Sequence, residues 1–176
     1  MKKTRIAVDM DDVLADAYGR IIEMYEKEHE VKLDLEWMKG KSYAEAFSGE
    51  KLKIAHAYPH QEDFFEDLDV FPHGPEVMKE LYEKHDVFIV SAAMEYPYSL
   101  KPKRDWLARH FPFIHWKNIV FCGDKSIIDA DFLIDDHAYN LETFRGQALI
   151  YSALHNLNET RFERMNNWQE IGQKFL

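Results

Sequence analysis

Three carboxylates fall within four positions, at Asp9, Asp11 and Asp12, directly after the short apolar run Ile6–Val8. Alternate side chains of an extended strand share a face, so Asp9 and Asp11 can converge just past its end. Acids this crowded repel one another unless a cation sits between them or one stays protonated. Comparable places elsewhere carry matching chemistry. Ser91 follows the apolar run Val87–Val90, Lys103 opens a helical pattern, and Asp135-Asp136 follow Phe132–Ile134. The set supplies a carboxylate nucleophile (Asp9), a second acid (Asp11), a hydroxyl, an ammonium and a metal-binding acid pair. That inventory suits phosphoryl transfer. Mg²⁺ prefers carboxylate and water oxygens plus substrate phosphate. Ser91 can hydrogen-bond a phosphoryl oxygen, and Lys103 can neutralise the phosphate and the nearby acids. Singly, each residue has a plainer reading as an acidic turn, a turn serine, a solvated lysine or a helix-capping acid. The ordered combination carries the argument.

The elements that must position these residues are legible. Ile6–Val8, Val87–Val90, Ile119–Phe121, Phe132–Ile134 and Ala148–Tyr151 are continuous runs rich in β-branched and aromatic residues, suited to strands buried on both faces. Helical patterns alternate with them over Pro75–Lys84 and Lys103–His110, with a short closing helix over Trp168–Leu176. The βαβα rhythm predicts an α/β fold, a Rossmann-like doubly wound parallel sheet. About sixty residues between the first strand and Pro75 exceed an ordinary crossover. They hold helical patterns of their own, Ala17–His29 and roughly Ser42–His56. The expected organisation is therefore an α/β core from residues 1–16 and 73–176 and a small helical cap from 17–72. A lid there would exclude water from the acidic cleft.

Composition narrows the function. A chain of 176 residues fits one domain with an appendage, and 46% hydrophobic content supplies a core. The net charge of −10 argues against nucleic-acid polymers or anionic membranes as partners. The single cysteine, Cys122, reads as a small buried hydrophobe. No membrane-length apolar stretch or signal core is present, so a soluble cytoplasmic protein is expected. The nine histidines show no metal-binding spacing, and His73, His110 and His137 read as surface or packing residues.

Asp9-Met-Asp11-Asp12-Val13, Ser91, Lys103 and Asp135-Asp136 resemble the four motifs of the haloacid dehalogenase (HAD) superfamily over nearly the whole chain. The resemblance implies that Asp9 is the nucleophile, Asp11 the general acid/base, and Ser91 and Lys103 phosphate ligands. It also implies that Asp9, Asp11 (through its main-chain carbonyl), Asp135 and Asp136 hold Mg²⁺. An acid at the second position marks phosphatases. Within the superfamily, Val8–Asp16, Phe64-Phe65, Lys103-Arg-Asp-Trp106-Leu and Leu133-Ile-Asp-Asp136 resemble the 5'(3')-deoxyribonucleotidases. That family removes phosphate from nucleoside monophosphates, favours deoxy-pyrimidine substrates and places the base against cap aromatics, which here implies Phe64, Phe65 and Tyr18. Trp37, Tyr43, Phe47 and Tyr58 are further cap aromatics. Two positions depart from the family pattern. Asp12 stands where glycine is usual, and is expected to point away and cap the following helix. Ala17 replaces an aromatic, with Tyr18 adjacent. The alternatives are a phosphatase of sugar phosphates or other small metabolites, a receiver-type signalling domain, and a catalytically silent nucleotide-binding relative. Base, sugar, 5' or 3' phosphate, the acid of the Asp135-Asp136 pair that binds metal directly, and oligomeric state (homodimer included) stay open at this level.

Overall fold

Apolar runs without polar alternation are stable only where both faces are covered. The computed structural model, which describes residues 3–176, places them so. Strands β1 (Arg5–Val8), β2 (Asp86–Ser91), β3 (Ile119–Phe121), β4 (Phe132–Asp135), β5 (Gln147–Tyr151) and β6 (Glu163–Met165) form one parallel sheet in the order β3-β2-β1-β4-β5-β6. Successive residues of β1 feed opposite sides. Ile6 and Val8 join an apolar cluster with Leu81, Trp106 and Trp168, and Ala7 joins another with Leu133, Leu141 and Ile150. Helices α5 (Gly74–Lys84), α6 (Leu100–His110) and α8 (Trp168–Phe175) cover the first side and α7 (Ala138–Glu142) the second, giving three layers.

The chain winds outward from β1 to β3, returns to β4 beside β1, and winds outward again. The strand order therefore switches direction between β1 and β4, and Val8 lies opposite Ile134 across that junction. Ligands of open α/β sheets bind in the crevice at the carboxyl ends of such strands, which is where Asp9 and Asp135-Asp136 emerge.

Between β1 and α5 lie α1 (Ala17–His29), α2 (Leu35–Met38), α3 (Tyr43–Ala46) and α4 (Glu50–Ala57). The single helix expected over Ser42–His56 is two. Ser42 and Glu45 form a capping box that starts α3, and Gly49 at φ +65°, a left-handed geometry that favours glycine, separates it from α4. The insert is tied to the sheet layer where Gly40 N–H donates to Leu154 O at 2.8 Å and Asn158 Nδ2 donates to Gly40 O at 3.0 Å. α6 begins three residues before Lys103, so Lys103 sits inside the first turn rather than opening the helix. β6 and α7 have no counterpart in the sequence reading. β6 is a three-residue strand, Glu-Arg-Met, at the sheet edge, where one side needs no apolar cover. Among the described residues no helix is long and apolar enough to cross a membrane.

Candidate active site

The end of β1 fixes Asp9. Its N–H donates to Ile134 O at 2.9 Å, and its own Oδ1 accepts from Met10 N–H at 2.7 Å. Beyond it the chain folds into a tight turn in which Met10 O accepts from Leu14 and Ala15 N–H. Asp12 sits in this turn at φ 55°. Its Oδ1 accepts from Tyr18 N–H at 2.8 Å, and Asp16 accepts from Gly19 N–H at 2.8 Å, so two carboxylates satisfy the open amino end of α1. The expectation that Asp12 caps the following helix matches this geometry, whereas the expectation that it points away does not, because Asp12 also lines the cavity beside Asp9 and Asp11.

Two buried ammonium groups divide the carboxylates between them. Lys103, with no exposed surface, donates to Asp11 Oδ2 and to Ser91 Oγ (3.0 Å), and lies 4.4 Å over the Phe65 ring. Lys125, 2% exposed, lies 2.7 Å from Asp9 Oδ1 and 2.6 Å from Asp135 Oδ2. Burial alone would push the Lys125 ammonium down, but Asp9 and Asp135 outweigh it and hold its pKa above the usual range. Burial drives the Asp9 carboxyl well up. Lys125 pulls it back, while Asp135, Asp136 and Asp11 add to the rise. Desolvation likewise raises Asp12, with Asp136 contributing.

The acid pair is not symmetric. Asp135 is saturated with donors: Lys125, His137 N–H at 2.9 Å and Asn140 Nδ2 at 3.1 Å. Both Asp136 side-chain oxygens are buried, and among the described residues neither has a hydrogen-bond donor. His155 Nε2 lies 3.1 Å from Asp136 Oδ2, in ion-pair range but not aligned as a hydrogen bond. Burial would lower the His155 pKa, but Asp136 and Asp12 raise it. Asn156 Nδ2 holds the backbone below, donating to Asp136 O at 2.8 Å and Tyr151 O at 2.7 Å, and Arg164 braces Asn156 Oδ1 at 2.9 Å.

Five carboxyl groups thus face two ammoniums, and ligand oxygens of Asp9, Asp135 and Asp136 lie within 4.8 Å of one another. An all-oxygen donor set with excess negative charge and free lone pairs on Asp136 fits a hard divalent cation.

Above this floor is a cavity of about 870 Å³. Asp9, Asp11, Asp12, Lys125 and Asp136 open onto it, and Tyr18, Tyr43, Phe64, Phe65 and Tyr96 wall it. Ser91 and Lys103 do not line it; they stand behind Asp11. The Tyr18 and Tyr43 rings lie 5.5 Å apart, and both hydroxyls are buried without a partner. Burial pushes the Tyr18 hydroxyl up to about 12, with Asp12 adding, and raises Tyr43 further. Of the other cap aromatics, Phe47 packs against Tyr18 and Tyr43 from behind, Tyr58 donates to Glu28, and Trp37 is 53% exposed outside the cavity.

Sequence reasoning missed Lys125, His155 and Asn156. The signal for Lys125 was its place, four residues past the end of β3 and ten before Asp135. His155 and Asn156 both lie beyond β5: Asn156 opens a stretch that reads as polar up to Trp168, and His155 directly precedes it.

Residues 3–176 match the profile of the family described as 5' nucleotidase, deoxy (pyrimidine), cytosolic type C protein. A 5'(3')-deoxyribonucleotidase of Bacillus subtilis (strain 168) is 41% identical over 180 residues, covering all of both chains, and one of Bacillus phage SPbeta matches to the same extent. Among solved structures, a haloacid dehalogenase-like hydrolase from Streptococcus pneumoniae superposes with a TM-score of 0.62 at 15% identity over 99% of each chain. A HAD-hydrolase of Bacillus subtilis bound to magnesium gives 0.59 at 11% identity, again over 99% of each chain. At such identities the likeness establishes the HAD-type α/β fold.

Proposed function

This chain belongs to the 5'(3')-deoxyribonucleotidase family, and we propose that it is a Mg²⁺-dependent phosphomonoesterase that hydrolyses nucleoside monophosphates through an aspartyl-phosphate on Asp9. The observation that carries the reading is the end of β1. There a buried carboxylate faces the cavity at the sheet's switch point, paired with Lys125, while a second acid, Asp11, is held two residues away by Lys103.

A carboxylate oxygen of Asp9 attacks phosphorus in line, and the bond from phosphorus to the nucleoside oxygen breaks. Asp11 gives that oxygen its proton, using Oδ1, the oxygen that Lys103 leaves without a partner. In the second half Asp11 takes a proton from water. The hydroxide attacks phosphorus, the bond to Asp9 breaks, and inorganic phosphate leaves. Lys125 is the ammonium that opens onto the cavity, so it neutralises phosphoryl oxygens directly. Lys103 acts from behind, orienting Asp11 and Ser91 and adding positive charge for the same oxygens. Asp9, Asp136 and the Asp11 main-chain carbonyl would hold Mg²⁺, with Asp135 fixing Lys125 beside them. The ion would supply charge neutralisation and a template for the phosphate. Residues 17–72 act as a cap, and Phe64, Phe65 and Tyr18 form the base-binding wall, with Tyr43 beside them. The protein acts in the cytoplasm, with a small phosphate monoester as its partner.

Release of inorganic phosphate from deoxy- and ribonucleoside 5'- and 3'-monophosphates, with sugar phosphates alongside, in Mg²⁺ and in excess chelator, tests the reading. Mg²⁺-dependent turnover preferring nucleotides is expected. A preference for sugar phosphates points to a metabolite phosphatase, and turnover in chelator removes the metal.

A further inference from the structure

Beside the phosphate floor, two histidines that the reaction does not use converge on Asp136, one of the acids assigned to Mg²⁺. His137 follows the acid pair and His155 lies in the loop after β5, their ring centroids 4.7 Å apart. Their Nε2 atoms lie 3.5 and 3.1 Å from the same oxygen, Asp136 Oδ2. The three ligand atoms fall within 4.8 Å of one another. Both Asp136 oxygens and His155 Nε2 are buried without a hydrogen-bond partner. Buried groups left this way cost free energy, and such clusters in a native fold call for an occupant. The occupant of this cluster differs in kind from that of the all-oxygen set on its other side. Mg²⁺ takes oxygen ligands, whereas two imidazoles and a carboxylate suit Zn²⁺ and its neighbours.

We propose that Asp136, His137 and His155 form a site for a transition-metal ion of the Zn²⁺ type, adjoining the Mg²⁺ ligands and sharing Asp136 with them. Occupancy withdraws that carboxylate from Mg²⁺ and suppresses turnover. The suppression rests on the phosphatase reading above; the binding does not. Zinc–ligand bonds of about 2.0–2.2 Å at tetrahedral angles put ligand atoms roughly 3.3–3.6 Å apart, so the contacts of 3.1 and 3.5 Å to Asp136 Oδ2 already fit, and the two imidazole nitrogens, which lie within 4.8 Å of each other, must close to that spacing. His137 can supply that, because its side chain is 42% exposed and stacks on the exposed Tyr139 ring and on His155. Its backbone N–H, which supports Asp135, takes no part. All three residues line the cavity, so water would complete the coordination of an ion held there. Linear spacing hides the site, since strand β5 and its loop separate the two histidines and no short motif contains both.

The test uses metal-stripped protein at pH 8, because ligation requires neutral imidazole and displaces protons. Zn²⁺ binding is measured by calorimetry and Co²⁺ binding by visible absorption, for wild type, His137→Asn and a control, His73→Asn. His73 is exposed at φ 65°, a geometry asparagine adopts readily. Wild type and His73→Asn are expected to bind one ion. His137→Asn should bind at least about tenfold more weakly, since even outer-shell partners of a metal site are worth roughly 10–100-fold. In parallel, phosphate release from p-nitrophenyl phosphate at saturating Mg²⁺ should be unchanged in His137→Asn, and its inhibition by Zn²⁺ should be lost. Equal Zn²⁺ affinity in wild type and His137→Asn overturns the site. Undiminished Zn²⁺ inhibition of His137→Asn places the inhibitory ion in the Mg²⁺ site itself, on Asp9, Asp136 and the Asp11 main-chain carbonyl, and overturns the suppression. His137-dependent Zn²⁺ binding by a protein that releases no phosphate with Mg²⁺ upholds the site and removes the phosphatase reading instead.

Discussion

The floor and the walls of the cavity are built on opposite principles. On the floor Asp9, Asp11, Asp12 and Asp135 are each held by a donor, and Asp136 keeps both side-chain oxygens open on the metal side. Lys125 ties Asp9 to Asp135, Lys103 ties Asp11 to Ser91, and Asn156 clamps the backbone of Asp136. On the walls, aromatic rings pack on one another while two buried hydroxyls, on Tyr18 and Tyr43, find no partner. A floor of paired charges is preorganised: it holds its geometry before substrate arrives, as transition-state stabilisation requires. A wall with unspent hydrogen bonds is complete only with a ligand, which is how a pocket discriminates among ligands. The comparison therefore assigns rate to the floor and selectivity to the walls, and the two should separate under mutation.

The largest effect belongs to Asp9. Asp9→Asn keeps the side chain's shape and removes the attacking charge. Turnover on every substrate should fall by roughly 10⁴-fold or more, as for other covalent nucleophiles, with the melting temperature unchanged or raised because one buried acid is gone. Near-wild-type turnover in Asp9→Asn would end the covalent mechanism.

Lys125→Met comes next and should damage stability as well as rate. It leaves Asp9 and Asp135 buried without their cation, and breaking a buried ion pair from one side costs about 3–5 kcal/mol. Saturating Mg²⁺ should restore part of the loss by returning positive charge to the same carboxylates. Thermal unfolding of the variant with and without Mg²⁺ measures this. A melting temperature equally low in both conditions would mean that the ion binds away from Asp9.

A smaller and more selective effect is expected from the walls. Tyr43→Phe and Tyr18→Phe remove hydroxyls that have no protein partner, so stability should hold or rise. If those hydroxyls bind the nucleoside, each loss is worth about 1 kcal/mol, roughly a fivefold rise in KM for nucleotides with no change for p-nitrophenyl phosphate. Phe65→Ala should behave differently, because Phe65 packs over Lys103 as well as facing the cavity. It should slow both substrates, as a floor mutation would. Equal losses on both substrates in Tyr43→Phe would erase the division of labour.

The sequence showed the floor far better than the walls, for a physical reason. Asp9, Ser91 and Asp135-Asp136 sit at the ends of apolar runs, and a parallel sheet brings the ends of its strands together whatever the intervening chain does. Lys125 escaped because Gly123-Asp-Lys125-Ser reads as a solvated turn; only tertiary pairing with two buried acids takes its ammonium out of water. Asn156 escaped because its brace, Arg164, lies in β6, a strand too short and too polar to register as periodic, and His155 escaped because its partner Asp136 lies at the end of a different strand. In the insert, helical spacing marked which residues are buried but not which face the cavity. Phe47 and Tyr43 share α3 and its end, yet Tyr43 lines the cavity and Phe47 supports it from behind.

The smallest effect expected is at Asp12, where floor and insert join. The residue combines two opposing local terms. Its left-handed φ of 55° costs a side chain about 1 kcal/mol that glycine would not incur. Its Oδ1 contact with Tyr18 N–H is a helix cap worth about 1 kcal/mol. Asp12→Gly gives up the cap and relieves the strain, so the net change in stability should be near zero. Asp12→Ala gives up the cap and keeps the strain, and should lose about 1–2 kcal/mol. This ordering, wild type close to glycine and both above alanine, follows only if Asp12 is a capping residue held in a strained turn. Because its bonded oxygen points to α1, the Mg²⁺ concentration for half-maximal turnover should change less than about twofold in Asp12→Gly. A large shift in that concentration, with all three proteins equally stable, would mean that the carboxylate acts on the metal rather than on the helix, and Asp12 would pass from the insert's side of the comparison to the floor's.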